Sequence, residues 1–223
     1  MNSRIQATPP YSLVVFDFDG TLVESKEGIS RAMNEAFVDL GIPRVAPERV
    51  HALIGLALDD VILPLLDEPP SPELLAAIRE RYRVRFIALA VETTRVFDGI
   101  PAGLDSLRQR GVTLAIATGK TLGGLERILG ALDLADYFVF LGTADQVKHG
   151  KPAPDMLDLC LAKTGTRAHE ALMIGDTTFD VQMAQSAGVD CCAVAWGTHD
   201  VATLRALEPT YLVNTVDELF GLL

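Results

Sequence analysis

Four short stretches place acids, hydroxyls and a lysine where apolar runs of the chain end. In Val14-Val15-Phe16-Asp17-Phe18-Asp19-Gly20-Thr21 an apolar run passes directly into two acids separated by one residue. Alternation along a strand sends Asp17 and Asp19 to the same side. Two carboxylates at the end of a core strand demand a cation or a proton, because an isolated buried charge is expensive. Gly20 then permits a sharp exit from the strand, although Asp-Gly is also an ordinary turn dipeptide.

The other three stretches are weaker alone. Thr118-Gly119-Lys120 follows Leu114-Ala115-Ile116-Ala117 and offers a hydroxyl and a glycine backbone to a phosphate oxygen. Lys151 lies in Gly150-Lys151-Pro152-Ala153-Pro154-Asp155, where the prolines stiffen the loop and can set the start of a helix. Lys148 competes for the same role, and either lysine would ordinarily be a solvated surface charge. Met173-Ile174-Gly175-Asp176-Thr177-Thr178-Phe179-Asp180 reads as a strand ending in two acids four residues apart. A helix starting near Thr177 or Thr178 puts Asp180 in its first turn. The plain alternative is capping, with Asp176 as N-cap and Asp180 favoured by the helix dipole.

The elements that must position these groups are legible from hydrophobic pattern. Leu13–Phe18, Val112–Ala117, Tyr137–Leu141, Ala171–Ile174 and Cys191–Trp196 are short apolar runs bounded by turn residues. Near-continuous hydrophobicity is what strands buried on both faces require. Between them, Leu122, Leu125, Ile128 and Leu129 form one helical face, Leu157, Cys160 and Leu161 another, and Val181, Ala184 and Ala187 a third that Gly188 stops. This alternation predicts an α/β domain with a parallel sheet, with Tyr211–Val213 extending the sheet edge. Ligands of such sheets bind beyond the carboxyl ends of the strands, where all four stretches fall. Carboxylates with spare oxygens suit a hard cation such as Mg²⁺, and Thr118 and Lys151 supply donors for a phosphate. The grouping points to phosphoryl chemistry.

One segment breaks the rhythm. From Lys26 to Arg95 only helical patterns occur: Ile29, Met33, Phe37 and Leu40, ended by Gly41-Ile42-Pro43, then Leu74, Leu75, Ile78, Tyr82, Phe86 and Leu89. Ser71-Pro72-Glu73 predicts the start of the second helix, with Ser71 as N-cap. Residues 26–95 are therefore expected to form a helical insert, with strands near Glu24 and Val96 as its hinge. The α/β core takes residues 11–25 and 96–223, and residues 1–10 are expected to be a flexible start.

Bulk properties narrow the class. A net charge of −11 with no broad basic face repels a phosphate backbone and argues against nucleic acid. The Arg79–Arg85 stretch reads as a solvated helix face whose Arg stems lie over apolar surface. Cys160, Cys191 and Cys192 lack framework spacing, which predicts a reducing, cytoplasmic setting, with Cys191 and Cys192 in buried strand. The apolar runs are far short of a membrane span.

At the residues above, the chain resembles the haloacid dehalogenase superfamily of phosphohydrolases. Asp17-Phe18-Asp19-Gly20-Thr21 is similar to its first motif, Thr118-Gly119-Lys120 to its second, Lys151 to its third and Gly175-Asp176-Thr177-Thr178-Phe179-Asp180 to its fourth. The insert resembles the family's cap domain, and Ala193-Val194-Ala195-Trp196-Gly197 with the tail through Leu219 is most similar to the phosphoglycolate phosphatase branch. The resemblance implies a Rossmann-like sheet in order 5-4-1-2-3, a mobile helical cap and Mg²⁺. It makes Asp17 the nucleophile and Asp19 the acid and base. Asp17, the Asp19 backbone carbonyl and Asp176 become the metal ligands, with Asp180 supporting them. Thr118, Gly119 and Lys151 become the phosphate-binding residues.

Glu24 departs from the pattern, standing where many relatives have Asp, and leaves the hinge contacts open. The presence of Asp19 disfavours dehalogenation. The expected activity is hydrolysis of a small phosphomonoester, phosphoglycolate-like or a sugar phosphate. Alternatives are a pyrophosphatase, a sugar-phosphate mutase, and a non-enzymatic phospho-receiver or binding protein. A mutase would need a cation in Ile54–Asp60 to hold a second phosphate, and that stretch has none. A phosphonate-cleaving enzyme would need a cap lysine, for which only Lys26 is available. A receiver domain would lack the insert.

Overall fold

The computed structural model describes residues 11–223, so the flexible start expected for residues 1–10 lies outside the described residues. The chain begins with β1 (Leu13–Phe16) and a two-residue strand β2 (Val23–Glu24). Four α-helices follow: α1 (Lys26–Asp39), α2 (Pro47–His51), α3 (Leu58–Ile62) and α4 (Pro72–Thr93). Strand β3 (Arg95–Val96) then returns antiparallel to β2, pairing Val23 with Val96 and Glu24 with Arg95. Beyond it come α5 (Ile100–Gln109), β4 (Thr113–Thr118), α6 (Leu122–Ala131), β5 (Phe140–Thr143), α7 (Asp155–Thr164) and β6 (Ala171–Gly175). The chain closes with α8 (Thr178–Ala187), β7 (Asp190–Val194), α9 (Val201–Arg205), β8 (Tyr211–Val213) and α10 (Val216–Leu222).

Six strands make one parallel sheet in the order β5-β4-β1-β6-β7-β8. Counting only these strands along the chain, this is the expected 5-4-1-2-3 order with β8 added at the β7 edge. Alternate residues of each strand enter different cores. Val14, Phe16, Leu114, Ile116, Leu172 and Ile174 belong to one cluster, and Leu13, Val15, Ala115, Ala117 and Met173 to the other. Both faces are dry, which is why these strands carry no polar alternation. Phe16 is fully buried, and truncating such a side chain to Ala typically costs about 3–5 kcal/mol.

Three of the five runs differ from the sequence reading by two residues or more. The run Tyr137–Leu141 becomes strand only at Phe140, because Ala135–Tyr137 wind a 3₁₀ turn. Phe138 is apolar for another reason: its ring packs edge-on against Phe16 at 6.4 Å. The run Leu13–Phe18 ends as strand at Phe16, since the Phe18 carbonyl already accepts from the turn amides of Leu22 and Val23. The last run, Cys191–Trp196, is strand over Asp190–Val194, with Cys191 and Cys192 buried as expected.

The segment between β2 and β3 is helical as its pattern requires. Ile29, Met33 and Phe37 of α1 are buried where α1 runs along α4, whose Ile78, Phe86 and Leu89 are buried in turn. Ser71 caps α4 by accepting from the Leu74 amide at 3.2 Å, with Pro72 at the first helical position. Among the described residues, no helix is long and apolar enough to cross a membrane.

Candidate active site

The central strands deliver the chemistry. Asp17 follows β1, Thr118 ends β4 and Asp176 follows β6, all at the carboxyl edge of the sheet; Asp180 comes from the first turn of α8 and Lys151 from the loop before α7. Asp17, Asp176 and Asp180 are wholly buried, and Thr118, Lys151 and Asp19 nearly so. All the sequence-predicted site residues are thus gathered at one end of the sheet.

Lys151 Nζ donates to Asp17 Oδ1 and to Asp180 Oδ1, each at 2.6 Å. Asp17, Asp176 and Asp180 each offer an oxygen within 4.8 Å of the others. Three carboxylates therefore face one ammonium. Burial, opposed by Lys151 and reinforced by Asp180 and Asp176, pushes the Asp17 carboxyl well above the usual range. Burial and then Asp180 push Asp176 up to about 7. Burial alone would lower the pKa of Lys151, but Asp17 and Asp180 outweigh it and hold the ammonium charged. Asp17 Oδ2 is buried with no hydrogen-bond partner among the described residues. A crowded set of hard oxygens with one orphaned atom fits a small divalent cation such as Mg²⁺.

The remaining partners fix each carboxylate. Thr21 Oγ1 donates to Asp176 Oδ1 at 2.8 Å and the Thr198 amide to Oδ2 at 2.7 Å. The N-cap of α8 is Thr177, not Asp176. Asp176 lies directly after β6 and aims its carboxylate across the sheet edge, so its oxygens are engaged there. Thr177 instead forms a reciprocal capping box with Asp180, whose Oδ2 accepts from the Thr177 amide at 3.0 Å and hydroxyl at 2.7 Å.

Asp19 stands apart from the three-carboxylate group. Its Oδ1 accepts from Ser25 Oγ at 2.6 Å and its Oδ2 pairs with Lys120 Nζ at 2.8 Å. Gly20 makes the intervening turn possible: its φ is +83°, and a Cβ there would run into the Asp176 carboxylate. Gly119 is required for a different reason. A Cβ at this position would strike the Leu56 carbonyl of the helical segment. Lys148 is exposed, whereas Lys151 is the lysine brought to the acids.

Sequence reasoning did not single out Ser25, Thr21, Lys120 or Thr198. Ser25 carried a faint signal, a hydroxyl at a helix start six residues after Asp19. Thr198 acts through its amide and carried none.

Between the site and the helical segment lies a cavity of about 870 Å³. Asp19, Gly119 and Lys120 line it on the core side, and Met33, Tyr82 and Phe86 on the helical side.

This fold and site agree with what similarity searches find. The sequence profile of the haloacid dehalogenase-like hydrolases matches residues 14–194. The chain is 37% identical to the "Probable phosphatase IndB" of Dickeya dadantii, over 94% of this chain and 92% of that protein. It is 29% identical to the phosphoglycolate phosphatase of Pectobacterium atrosepticum, over 94% and 91%. A structure described as a predicted phosphoglycolate phosphatase from Haemophilus somnus superposes with a TM-score of 0.88 at 20% identity, over 95% of this chain and 97% of that one, a likeness of fold alone. The chain belongs to the haloacid dehalogenase-like hydrolase family. Both of the sequence relatives named above are described as phosphatases.

Proposed function

We infer that the protein is a Mg²⁺-dependent phosphatase acting on a small phosphate ester through an aspartyl-phosphate on Asp17. The observation that carries this reading is a group of three buried carboxylates that meets one ammonium, at Asp17 Oδ1 and Asp180 Oδ1, and leaves Asp17 Oδ2 without a partner among the described residues. Asp17, Asp176 and the backbone carbonyl of Asp19 would hold the ion, with Asp180 in support. The ion would supply positive charge for the phosphoryl oxygens and for the Asp17 carboxylate.

The residues divide the remaining work. Asp17 attacks phosphorus as the ester P–O bond breaks, and Asp19 gives its proton to the departing oxygen. Asp19 then takes a proton from water as that water attacks phosphorus. The P–O bond to Asp17 breaks, inorganic phosphate leaves, and the Asp17 carboxylate is restored. Thr118 and the Gly119 backbone bind phosphoryl oxygens, while Lys151 orients Asp17 and offsets the transferring charge. Lys120 Nζ faces Asp19 Oδ2 at 2.8 Å and adds a positive charge beside the position of the departing oxygen.

Residues 26–95 serve as a cap over residues 11–25 and 96–223, hinged at β2 and β3. Three free, buried thiols need no oxidising environment and support a cytoplasmic setting. The test is phosphate release from an aryl phosphate and a metabolite panel, with Mg²⁺ or with EDTA. Wild type should turn over only with Mg²⁺, and Asp17→Asn should lose roughly 10⁴-fold or more. Turnover by Asp17→Asn at the wild-type rate would overturn the reading.

A further inference from the structure

The geometry points to a substrate whose alcohol carries a bulky apolar body, an aromatic ring system in particular, rather than a short carboxylate such as glycolate. This rests on hydrolysis at Asp17 as proposed above. If Asp19 protonates the departing oxygen, the alcohol must extend from Asp19, and the space beside Asp19 is the 870 Å³ cavity. That volume lies in the range of sites that engulf a sizeable organic molecule.

The walls favour apolar contact. Met33, Ile54, Phe86 and Ile128 line the cavity and are buried. Tyr82 and Phe86, one turn apart on α4, stack at 5.6 Å between centroids and 13° between planes. Such a pair presents ring faces and edges suited to a flat ligand.

The charges disfavour a carboxylate. Lys120 is committed to Asp19, and Arg79 is held by both carboxylate oxygens of Asp59. Asp59 and Asp60 also line the cavity. The other basic side chains there, Arg83, Arg127 and Lys148, are exposed to solvent. A glycolate carboxylate beside Asp19 would meet apolar walls and one nearby ammonium, that of Lys120, already paired with Asp19, a costly place for a further negative charge.

The experiment compares esters with similar alkoxide leaving groups: phosphoglycolate, propyl phosphate, 2-phenylethyl phosphate and 2-(2-naphthyl)ethyl phosphate, each with Mg²⁺. We expect kcat/KM to rise by about tenfold or more from propyl to naphthylethyl, with phosphoglycolate no better than propyl phosphate. Ile87→Glu, at a cavity-lining position 46% exposed and so tolerant of charge, should cut the naphthylethyl-to-propyl ratio about tenfold. Phosphoglycolate as the best substrate, or rates indifferent to the size of the alcohol, would overturn the inference and leave hydrolysis at Asp17 standing. Calorimetry with propylphosphonate and 2-(2-naphthyl)ethylphosphonate separates the remaining cases. Tighter binding of the naphthyl compound without turnover of any ester would overturn the hydrolytic reading alone. Equal binding without turnover would overturn both.

Discussion

Lys151 reaches Asp17 from 134 positions along the chain, and its ammonium and the Asp17 carboxylate meet at 2.6 Å with neither side chain in contact with solvent. A buried pair of this kind contributes little when intact, but breaking it strands a charge, at about 3–5 kcal/mol. Lys151→Met should therefore lower the unfolding free energy of the metal-free protein, read from its urea midpoint, by that much. Lowering the pH should recover part of the loss, because a protonated Asp17 no longer needs a partner. An unchanged midpoint would show that the pair is already relaxed by water.

The metal-free protein should also lose stability as pH rises through the neutral range. Asp176 has a folded value of about 7 against an ordinary 3.8, and Asp17 is shifted the same way. Between those values the folded state holds more protons than the unfolded one, so stability falls with rising pH. Lys151 is shifted upward from 10.5, and its contribution stays constant until far higher pH. Thermal melts at pH 5 and pH 8 should differ by roughly a few kcal/mol in stability. Added Mg²⁺ should raise the midpoint more at pH 8 than at pH 5.

Removing the proton donor should matter in proportion to the basicity of the leaving group. Asp19→Asn is expected to cost about 10²–10⁴-fold in kcat with alkyl esters, and far less with a nitrophenyl ester that departs without a proton. Ser25→Ala, which removes the 2.6 Å donor to Asp19, should follow the same pattern more weakly. A uniform loss across leaving groups would mean that Ser25 serves the start of α1 and not the acid.

The contact between Gly119 and the Leu56 carbonyl leaves no room for a methyl group. Gly119→Ala should displace the loop between α2 and α3 while the sheet stays intact. Steady-state kinetics should show this as a higher KM with a near-normal melting temperature. A normal KM would show that the loop yields freely.

How much of this was legible in the sequence depended on whether the determinant was local. The apolar runs identified the sheet strands because burial on both faces leaves its mark residue by residue. Ser71-Pro72 located the start of α4 because capping is chemistry among neighbours. The start of β5 was misplaced because Tyr137 and Phe138 are apolar for packing and not for the ladder. The Asp176 cap failed similarly: its carboxylate is claimed by Thr21 and the Thr198 amide, distant in sequence. The acids and Lys151 could be nominated from their motifs, but the Lys120–Asp19 pair and the Leu56–Gly119 contact arise only when separate segments meet.

The pairing of Val23 with Val96 makes the whole stretch from Ser25 to Thr94 a single excursion that leaves and re-enters the core at adjacent points. Closing such an excursion depends only weakly on its length. The core's demands on it are therefore modest: two neighbouring ends and a surface that fits. The groups proposed to cleave the ester and most of the walls that surround its alcohol are thus written in separate, exchangeable lengths of chain. A lineage carrying this arrangement can acquire a new substrate by rewriting one stretch while leaving its reaction untouched.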